Sequence, residues 1–311
     1  MTTDKALQSF TKTDMDFFVR GIRCHGFFYL PTHRERPPIV IMAHGFAAEK
    51  TFGLPAYAER FANQGIAVYL FDYRGFGRSD GEPRNLVNPF CHVQDWKAAI
   101  AHIRTLSQID NTRIALWGSS FSGGHVIVAA AKDRDISAVI SQVPFVDSFS
   151  TVGRMNFKFM MQATFAGLRD VLRKLTFRVP YCVPVVGAPH TFALMNTPDA
   201  QSGFMSLVPE GSSWKNECPA RVMFTLLCYR PLMYAHKVAC PVLIIIAEND
   251  SLISEKAIEK TANRILRGTI LRLPVGHFDV YGGDEFETLV ESQIQFLKCC
   301  LQRTGDYSTH S

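Results

Sequence analysis

Residues 117–124 read WGSSFSGG and separate two runs of different character. The run before them, residues 114–116, is short and apolar, as expected of a buried strand. The run after them, residues 126–131, is rich in alanine and lacks proline, which favours a helix. A serine among small residues at a strand-to-helix turn is typical of a nucleophile elbow, because larger flanking side chains would collide in so tight a turn.

This elbow can be placed in two registers. Ser120 is the nucleophile if Gly118 is the first small position, and Ser122 then stands where glycine is commonest. A register two residues later makes Ser122 the nucleophile, between Ser120 and Gly124. We predict Ser120, because the strand is expected to end at Gly118 and to leave a single residue before the turn.

Length and composition set the class of protein. The 311 residues suffice for one large domain or for a domain with an insertion. Hydrophobic residues make up 47% and charged residues 20%, as in folded globular proteins. The net charge of +5 comes without basic runs interleaved with aromatic residues, so no nucleic-acid partner is expected.

Several sequence features bear on location and cofactors. The apolar runs are too short to cross a bilayer, and residues 1–15 lack the pattern of a signal peptide. The eight cysteines show no zinc spacing, which favours reduced thiols in a cytoplasmic protein. The histidines form no metal spacing and there is no phosphate-binding glycine motif, so we expect neither a metal nor a cofactor. The sequence leaves open whether the protein forms a homodimer.

Apolar runs alternate with helical patterns from residue 39 to residue 143. This rhythm predicts an α/β fold with a doubly wound, mostly parallel sheet. The predicted elements are strands at 39–43, 66–71, 114–118 and 138–143, helices at 54–63 and from Pro89 behind an Asn88 cap, and an edge hairpin of 17–19 and 26–30 turning at Gly21.

The rhythm breaks between residues 145 and 237, where phenylalanine, methionine and proline are frequent. It resumes with a strand at 242–247, a helix at 254–264, a strand at 269–273 and a closing helix at 285–302. We therefore expect a core domain of residues 1–147 and 238–311. A mainly helical cap, residues 148–237, is expected to be inserted between two strands, over the edge of the sheet where open α/β sheets bind ligands.

Three polar residues each follow a predicted strand. They are Ser120 at the elbow, Asp250 after the strand at 242–247, and His277 after the strand at 269–273. A serine is a poor nucleophile unless a base takes its proton, and the base needs an acid to orient it. We predict that Ser120 attacks, that His277 transfers the proton and that Asp250 fixes the tautomer of His277.

Acyl transfer also needs two N–H groups that point at the developing oxyanion, and losing one such donor typically costs about 2.7–4 kcal/mol. The residue after the nucleophile, Phe121, supplies one backbone N–H from the start of its helix. The loop HGF at residues 44–46 supplies the other through Phe46. The predicted oxyanion hole is therefore the pair of backbone N–H groups of Phe46 and Phe121.

Other polar residues are rivals for these roles. Asp147 follows the strand before the cap and competes with Asp250 for the part of the acid. His125 is expected to be a hydrogen-bonded residue inside the elbow helix, and His44 is expected to shape its loop. Arg74 and Asp80 are expected to stabilise a turn and to take no part in the chemistry.

Five motifs in this order and spacing carry a resemblance to the α/β-hydrolase superfamily: HGF at 44–46, DYRGFGRSDG at 72–81, GSSFSGG at 118–124, ENDSLIS at 248–254 and PVGH at 274–277. The order serine, aspartate, histidine, each after a strand, is that of the superfamily. The cap is similar to that of esterase-like members, including polyketide thiohydrolases and acyl transferases. Ser122 departs from the usual glycine and keeps the second register open.

The resemblance and the candidate residues imply a cofactor-free serine hydrolase that cleaves a carboxylic ester or thioester through an acyl-enzyme. The same groups would serve an acyltransferase or thiohydrolase acting on a carrier-bound acyl or polyketide chain. A protein of this fold that binds a ligand or partner without catalysis is the alternative from another class. Labelling by a fluorophosphonate distinguishes it from the enzyme.

The composition of the predicted cap bears on the substrate. It holds seven of the ten methionines and eight phenylalanines, and flexible methionines adapt to several apolar shapes. We therefore expect a preference for a medium-sized apolar acyl group. Ten basic and four acidic residues give this segment a net charge of +6, which would steer an anionic or carrier-bound donor unless the charges only solvate its surface.

Overall fold

The computed structural model of the chain describes residues 9–153 and 155–302. The two ends of the predicted core domain, residues 1–8 and 303–311, lie outside them, as does Arg154 of the predicted basic cap. The strands are Phe10–Val19 (β1), Ile22–Pro31 (β2), Ile39–Ala43 (β3), Ala67–Phe71 (β4), Ile114–Ser119 (β5), Ala138–Gln142 (β6), Cys182–Val183 (β7), Cys218–Pro219 (β8), Val242–Ala247 (β9) and Gly268–Leu273 (β10).

Eight of these strands form one sheet, in the order β1-β2-β4-β3-β5-β6-β9-β10. β1 and β2 form the predicted antiparallel hairpin, and β2 runs antiparallel to β4. From β4 to β10 every neighbouring pair is parallel. The predicted doubly wound, mostly parallel sheet is confirmed.

The α-helices follow the predicted alternation on both sides of the insertion. They are Leu54–Asn63 (α1), Pro89–Ile103 (α2), Phe121–Lys132 (α3), Ser148–Val152 (α4), Phe157–Leu175 (α5), Ala200–Leu207 (α6), Val222–Leu227 (α7), Glu255–Ala262 (α8) and Glu285–Leu301 (α9). Asn88 caps α2 as predicted, since its side chain accepts from the N–H groups of Phe90 and Cys91. Pro89 occupies the first turn, where its missing N–H costs no helical bond.

The central strands are buried on both faces, as their continuous apolar runs predict. All residues of β3, β4 and β9 are buried. Alternate side chains enter opposite cores, so that Ile41 joins the core on one face of the sheet and Met42 the core on the other. Helices cover both faces, which leaves the carboxyl ends of the parallel strands as the accessible edge.

The end of β5 differs from the prediction by one residue. The strand continues through Ser119, because Ser119 still pairs with Gln142 of β6, and does not end at Gly118. Ser120 itself is the turn before α3. The neighbouring strand β6 determines where the hydrogen-bond ladder of β5 ends, and local sequence does not reveal that pairing.

The inserted segment, residues 148–237, lies between β6 and β9 and is mainly helical, with α4, α5, α6 and α7. Its strands β7 and β8 have two residues each and pair only with one another. Trp214 ties the segment to the core by donating its indole N–H to the carbonyl of Ala47 at 2.8 Å. Leu232 donates its backbone N–H to Val146 at 2.9 Å.

All eight cysteines lie among the described residues and are free thiols, with Cys299 and Cys300 on α9. Among the described helices, none combines the length and the apolar character needed to cross a bilayer.

Candidate active site

The elbow between β5 and α3 forces Ser120 into an unusual backbone conformation. Its φ is 57° and its ψ is −120°, a region that costs a non-glycine residue about 1–3 kcal/mol. Small neighbours make the turn feasible. A Cβ on Gly118 would lie 2.3 Å from the carbonyl oxygen of Ser122, and one on Gly124 would lie 2.1 Å from that of Phe145. The turn therefore presents the Ser120 side chain at the carboxyl edge of the sheet.

Three side chains from three loops meet at this edge. The hydroxyl of Ser120 lies 3.0 Å from Nε2 of His277, in the loop after β10. Nδ1 of His277 lies 2.6 Å from Oδ2 of Asp250, in the loop after β9. With Nδ1–H donating to the carboxylate, Nε2 is free to accept the serine proton.

The carboxylate of Asp250 is held from its other side. Its Oδ1 accepts the backbone N–H groups of Leu252 and Ile253, each at 2.8 Å. The side chains of Asp250 and His277 are both almost fully buried. These contacts fix the carboxylate and, through it, the plane of the imidazole.

The two residues predicted to supply the oxyanion donors, Phe46 and Phe121, line the same cavity as Ser120. Phe121 is the first residue of α3, so its N–H has no acceptor within the helix. Phe46 follows Gly45, where a Cβ would lie 3.1 Å from the Cβ of Ser120. The glycine therefore lets the 44–46 loop approach the nucleophile position. The rings of Phe46 and Phe121 pack edge to face, with centroids 5.4 Å apart.

Ser122, the alternative nucleophile, is fully buried. Its hydroxyl lies 2.9 Å from the hydroxyl of Tyr73, which also accepts the indole N–H of Trp96 at 3.0 Å. This hydroxyl is thus part of the packing behind α3, whereas that of Ser120 faces His277.

Asp147, the rival acid, is engaged elsewhere. Its carboxylate accepts Nε of Arg230 at 2.6 Å. Among the hydrogen bonds of the described residues, the carboxylate that accepts from His277 is that of Asp250.

Arg74 and Asp80 stabilise the 72–81 turn, as predicted. Nε of Arg74 donates to the buried Asp95 at 2.6 Å. Asp80 accepts from the guanidinium of Arg23 at 2.9 Å, which ties the turn to the hairpin.

Three buried histidines lie behind the elbow. Nδ1 of His125 contacts the hydroxyl of Tyr229 at 2.5 Å and its Nε2 lies 3.3 Å from Nδ1 of His92, while His44 donates Nδ1–H to the carbonyl of Gly45. Burial lowers the pKa of His44 to about 4 and that of His125 to about 3, and it holds the pKa of His92 well below its ordinary value of 6.5. These side chains are neutral structural residues, as predicted for His125 and His44.

A buried ion pair that sequence reasoning did not single out supports the 44–46 loop. Nζ of Lys50 lies 2.5 Å from Oδ2 of Asp72, and both side chains are almost fully buried. The other oxygen of Asp72 accepts the backbone N–H of Lys50 at 2.7 Å. The pair joins the loop after β3 to the loop after β4. No local pattern identifies Lys50, because its partner lies 22 residues away.

A second set of buried polar residues, also missed from sequence, lies beneath the elbow. The hydroxyl of Ser119 contacts that of Tyr281 at 2.7 Å and accepts the amide of Gln142 at 3.1 Å. Gln293 of α9 donates to Gln142 and accepts the indole N–H of Trp117, both at 2.7 Å. The chain of bonds anchors the residue before Ser120 to α9.

Two adjacent cavities lie between Ser120 and the inserted segment. The inner cavity has a volume of about 110 Å³ and is lined by residues that include Ser120, Phe121, Leu194, Met195 and Leu252. The outer cavity has a volume of about 260 Å³ and is lined by residues that include Val152, Ala163, Thr164, Phe224 and Leu227. Both share Phe145, Thr151, Met155, Phe159, Met223 and Leu226.

A third cavity lies on the other side of Ser120, next to His277. This His277 cavity has a volume of about 30 Å³ and is lined by residues that include Ser120, His277, Phe204, Leu207, Phe278 and Tyr281. The methionines of the inserted segment divide accordingly: Met155, Met195 and Met223 line cavities at Ser120, whereas Met205 and Met233 are exposed.

Much of the positive charge of the inserted segment is used internally. Arg221 pairs with Asp170 at 2.9 Å, Arg230 pairs with Asp147 at 2.6 Å, and Arg169 and Arg173 lie over the ring of Tyr181. Of these contacts, the pair of Arg230 with Asp147 lowers the charge of the segment below its composition count, because Asp147 lies outside residues 148–237. The described part of the chain contains no cluster of three or more histidine, cysteine, aspartate or glutamate residues that could hold a metal ion.

Comparison with known proteins places this geometry in context. Residues 34–271 match the family model described as serine aminopeptidase, S33. The quorum-quenching protein AidA of Acinetobacter baumannii is 38% identical over 285 residues, 92% of this chain and 94% of that protein. The thiohydrolase aneE of Aspergillus aculeatus is 36% identical over 148 residues, 48% and 46% of the two chains. The polyketide transferase af380 of Aspergillus fumigatus is 26% identical over 287 residues, 89% and 94%.

Proposed function

The chain belongs to the serine aminopeptidase S33 family of α/β hydrolases, and from that premise we propose that it cleaves a carboxylic ester or thioester through an acyl-enzyme on Ser120. The observation that carries the proposal is the position of His277, which bridges Asp250 and Ser120, the latter lining an apolar cavity. Serine, base and acid are within hydrogen-bond reach, as nucleophilic catalysis requires.

In the acylation step Oγ of Ser120 attacks the carbonyl carbon while Nε2 of His277 takes its proton. The imidazolium is stabilised by the buried carboxylate of Asp250. The N–H groups of Phe46 and Phe121 stabilise the oxyanion. The bond to the leaving group then breaks, and His277 gives the proton to the departing oxygen or sulfur.

Deacylation repeats the sequence with water. His277 takes a proton from the water that attacks the acyl carbon, and it returns that proton to Oγ of Ser120. Only neutral imidazole accepts a proton, so the rate is expected to rise with pH as His277 loses its proton.

An apolar acyl group suits the cavities better than an amino-terminal residue. The inner and outer cavities are lined by phenylalanine, methionine, leucine and valine, apart from Ser120 and a few hydroxyl groups. Among the described residues that line the cavities at Ser120, none is acidic, so a substrate ammonium has no partner there. This composition supports an ester or thioester substrate and does not support a free peptide amino terminus.

Two alternatives are separated by experiment. An acyltransferase or thiohydrolase acting on a carrier-bound acyl or polyketide chain would use the same residues with a different acceptor or leaving group. A non-catalytic binder would not react with a fluorophosphonate. Rapid labelling of native protein, with mass spectrometry placing the adduct on the peptide that contains Ser120, supports the enzyme. Folded protein that stays unlabelled contradicts it.

We further propose that residues 148–237 act as a cap over a core of residues 1–147 and 238–311. The contacts of Trp214 and Leu232 with the core support this arrangement. A cytoplasmic location is supported by eight free cysteines, because thiols persist in reducing compartments.

The homodimer is proposed to form through α5. Met161, Phe165, Leu168, Leu172 and Leu175 are exposed and recur at intervals of four and three residues along one face of the helix. This spacing is that of a seam between two packed helices. Sedimentation of the native protein over a range of concentrations tests the assembly.

A further inference from the structure

The space around Ser120 is strongly unequal on its two sides. On one side the inner cavity of about 110 Å³ is adjacent to the outer cavity of about 260 Å³, with which it shares six lining residues. On the other side the His277 cavity measures only about 30 Å³. Ser120, Phe46 and Met195 line both the inner and the His277 cavities and therefore mark the boundary between them.

The position of His277 assigns the two sides to the two parts of the substrate. The leaving group receives its proton from Nε2, so it must lie beside His277 when the bond breaks. His277 lines the small cavity and neither of the large ones. The acyl chain therefore occupies the inner and outer cavities, and the leaving group occupies the His277 cavity.

Packed side chains of α6 and Phe278 form one wall of the His277 cavity. Phe204 of α6 is buried, and its ring centroid lies 5.2 Å from that of Trp214 and 6.4 Å from that of Phe278. A Cβ on Gly203 would lie 2.4 Å from the ring of Phe278, so α6 packs directly on the residue after His277. Leu207 completes the wall at the end of α6.

Resting on the proposed function, we infer that the preferred substrates are esters of small alcohols and that water resolves the acyl-enzyme. A cavity needs about 10–15 Å³ to hold one water molecule, so a cavity of this size accommodates about two waters or a short alcohol. Phe204 and Leu207 set this limit. A long carrier arm or a bulky acceptor alcohol exceeds this volume, so we expect hydrolysis and not transfer.

The chemistry balances with water as the only co-reactant. In the first step the bond from Oγ of Ser120 to the acyl carbon forms, the bond to the alcohol oxygen breaks, and His277 moves the serine proton to that oxygen. The small alcohol then leaves and a water molecule takes its place. In the second step His277 takes a proton from the water as the water oxygen bonds to the acyl carbon, the bond from Oγ to that carbon breaks, and His277 gives this proton to Oγ.

The test uses hexanoyl esters that differ only in the alcohol: methyl, ethyl, butyl and benzyl. For the native protein kcat/KM is expected to fall at least tenfold from the methyl to the benzyl ester. With hexanoyl methyl ester and added benzyl alcohol, hexanoic acid is the expected product, without benzyl ester. Equal kcat/KM across the alcohols, or transfer to benzyl alcohol, would overturn the inference.

Variants test whether Phe204 and Leu207 limit the size of the leaving group. Leu207→Ala is expected to raise the benzyl-to-methyl ratio of kcat/KM about tenfold, and Phe204→Leu provides a second opening of the same wall. Leu266→Ala, at an exposed position outside the cavities and the α5 seam, should leave the ratio unchanged. A ratio that stays the same in both opened variants contradicts the assignment of the wall. Absence of hydrolysis with every ester would instead refute the proposed function, so the two failures are distinguishable.

Discussion

The core sheet and the inserted segment use apolar residues in opposite ways. Strands β3, β4 and β9 bury every side chain. In the inserted segment Phe165 is 65% exposed, Leu172 is 58% exposed and Phe177 is 98% exposed. The apolar residues of the sheet fill two cores, whereas those of the insertion are divided among buried positions such as Val185 and Val222, the walls of the cavities and the surface.

This difference separates two tasks. The sheet fixes loop ends that lie far apart in sequence, and so it holds Ser120, Asp250 and His277 at hydrogen-bonding distances. The insertion needs no such precision and supplies the walls of the cavities. Changes in the sheet loops should therefore affect the rate for every substrate, while changes in the insertion should affect which substrate is preferred.

The largest expected effect is that of Ser120→Ala. Removing the nucleophile should lower kcat on the order of 10⁶-fold for all esters, because no acyl-enzyme forms. Ser122→Ala is the matched control and should cost far less, since its hydroxyl bonds to Tyr73. Hydrolysis kinetics and thermal unfolding of both variants check this. A greater loss in Ser122→Ala would move the nucleophile by two residues.

Asp250→Asn should have the next largest effect, about 10⁴-fold in kcat as in the best-studied triad. The amide no longer holds the imidazole in the tautomer that accepts the serine proton. Asp147→Asn is the control, because Asp147 pairs with Arg230. Turnover of a short-chain ester by the two variants is the measurement, and the reverse ranking would assign the acid to Asp147.

Ala163→Phe tests the insertion side of the comparison. The new ring should fill the outer cavity, which Ala163 lines, and shorten the acyl site. Each methylene excluded from burial costs up to about 0.8 kcal/mol, so four methylenes correspond to roughly 10²-fold. The octanoyl-to-butanoyl ratio of kcat/KM should fall by up to that factor.

The control for this variant is Gln162→Phe, which adds the same ring at an exposed position of α5. It should leave the chain-length ratio as in the native protein. If Ala163→Phe slowed both esters equally, the outer cavity would not be an acyl site.

A smaller effect, on the pH dependence of stability, is expected from three buried histidines of the core. An unfolded chain protonates His44, His92 and His125 near their ordinary pKa of 6.5, whereas burial lowers the pKa of each in the folded protein. Stability is therefore retained above pH 6.5 and is lost as the pH falls towards 4. Each histidine contributes up to about 1.4 kcal/mol per pH unit in that range.

Thermal unfolding between pH 7.5 and 4.5 measures this loss. His125→Gln should reduce the slope of stability against pH, and His236→Gln, at an exposed position, should not. Equal slopes in the native protein and in His125→Gln would show that the buried imidazole does not titrate on unfolding as inferred.

The smallest expected effect on catalysis is that of Leu172→Asp on the exposed face of α5. Because burying an unpaired charge at an interface is costly, the aspartate should separate the proposed homodimer into monomers. The value of kcat per subunit should stay within about twofold. Gln162→Asp adds the same charge away from the seam. Sedimentation of both variants decides, and a native protein that is monomeric at all concentrations would exclude the seam.

Several features of this protein followed from local sequence. Continuous apolar runs identified β3 and β9, because a strand covered on both faces has no polar positions. The small residues around Ser120 identified the elbow, because sterics within a few residues decide whether so tight a turn can form. Asn88 and Pro89 identified the start of α2 for the same local reason.

Other features were decided only by the tertiary structure. The pairing of Lys50 with Asp72 and the bond from Gln293 to Gln142 join residues that no periodicity relates. The unequal cavities around Ser120 depend on how the helices of the insertion pack. Helix α6 packs directly against Phe278, whereas a cavity lies between Phe145 and α5. Hydrophobic patterns specify which face of an element is buried, but the volume left between two elements depends on the distance at which they pack.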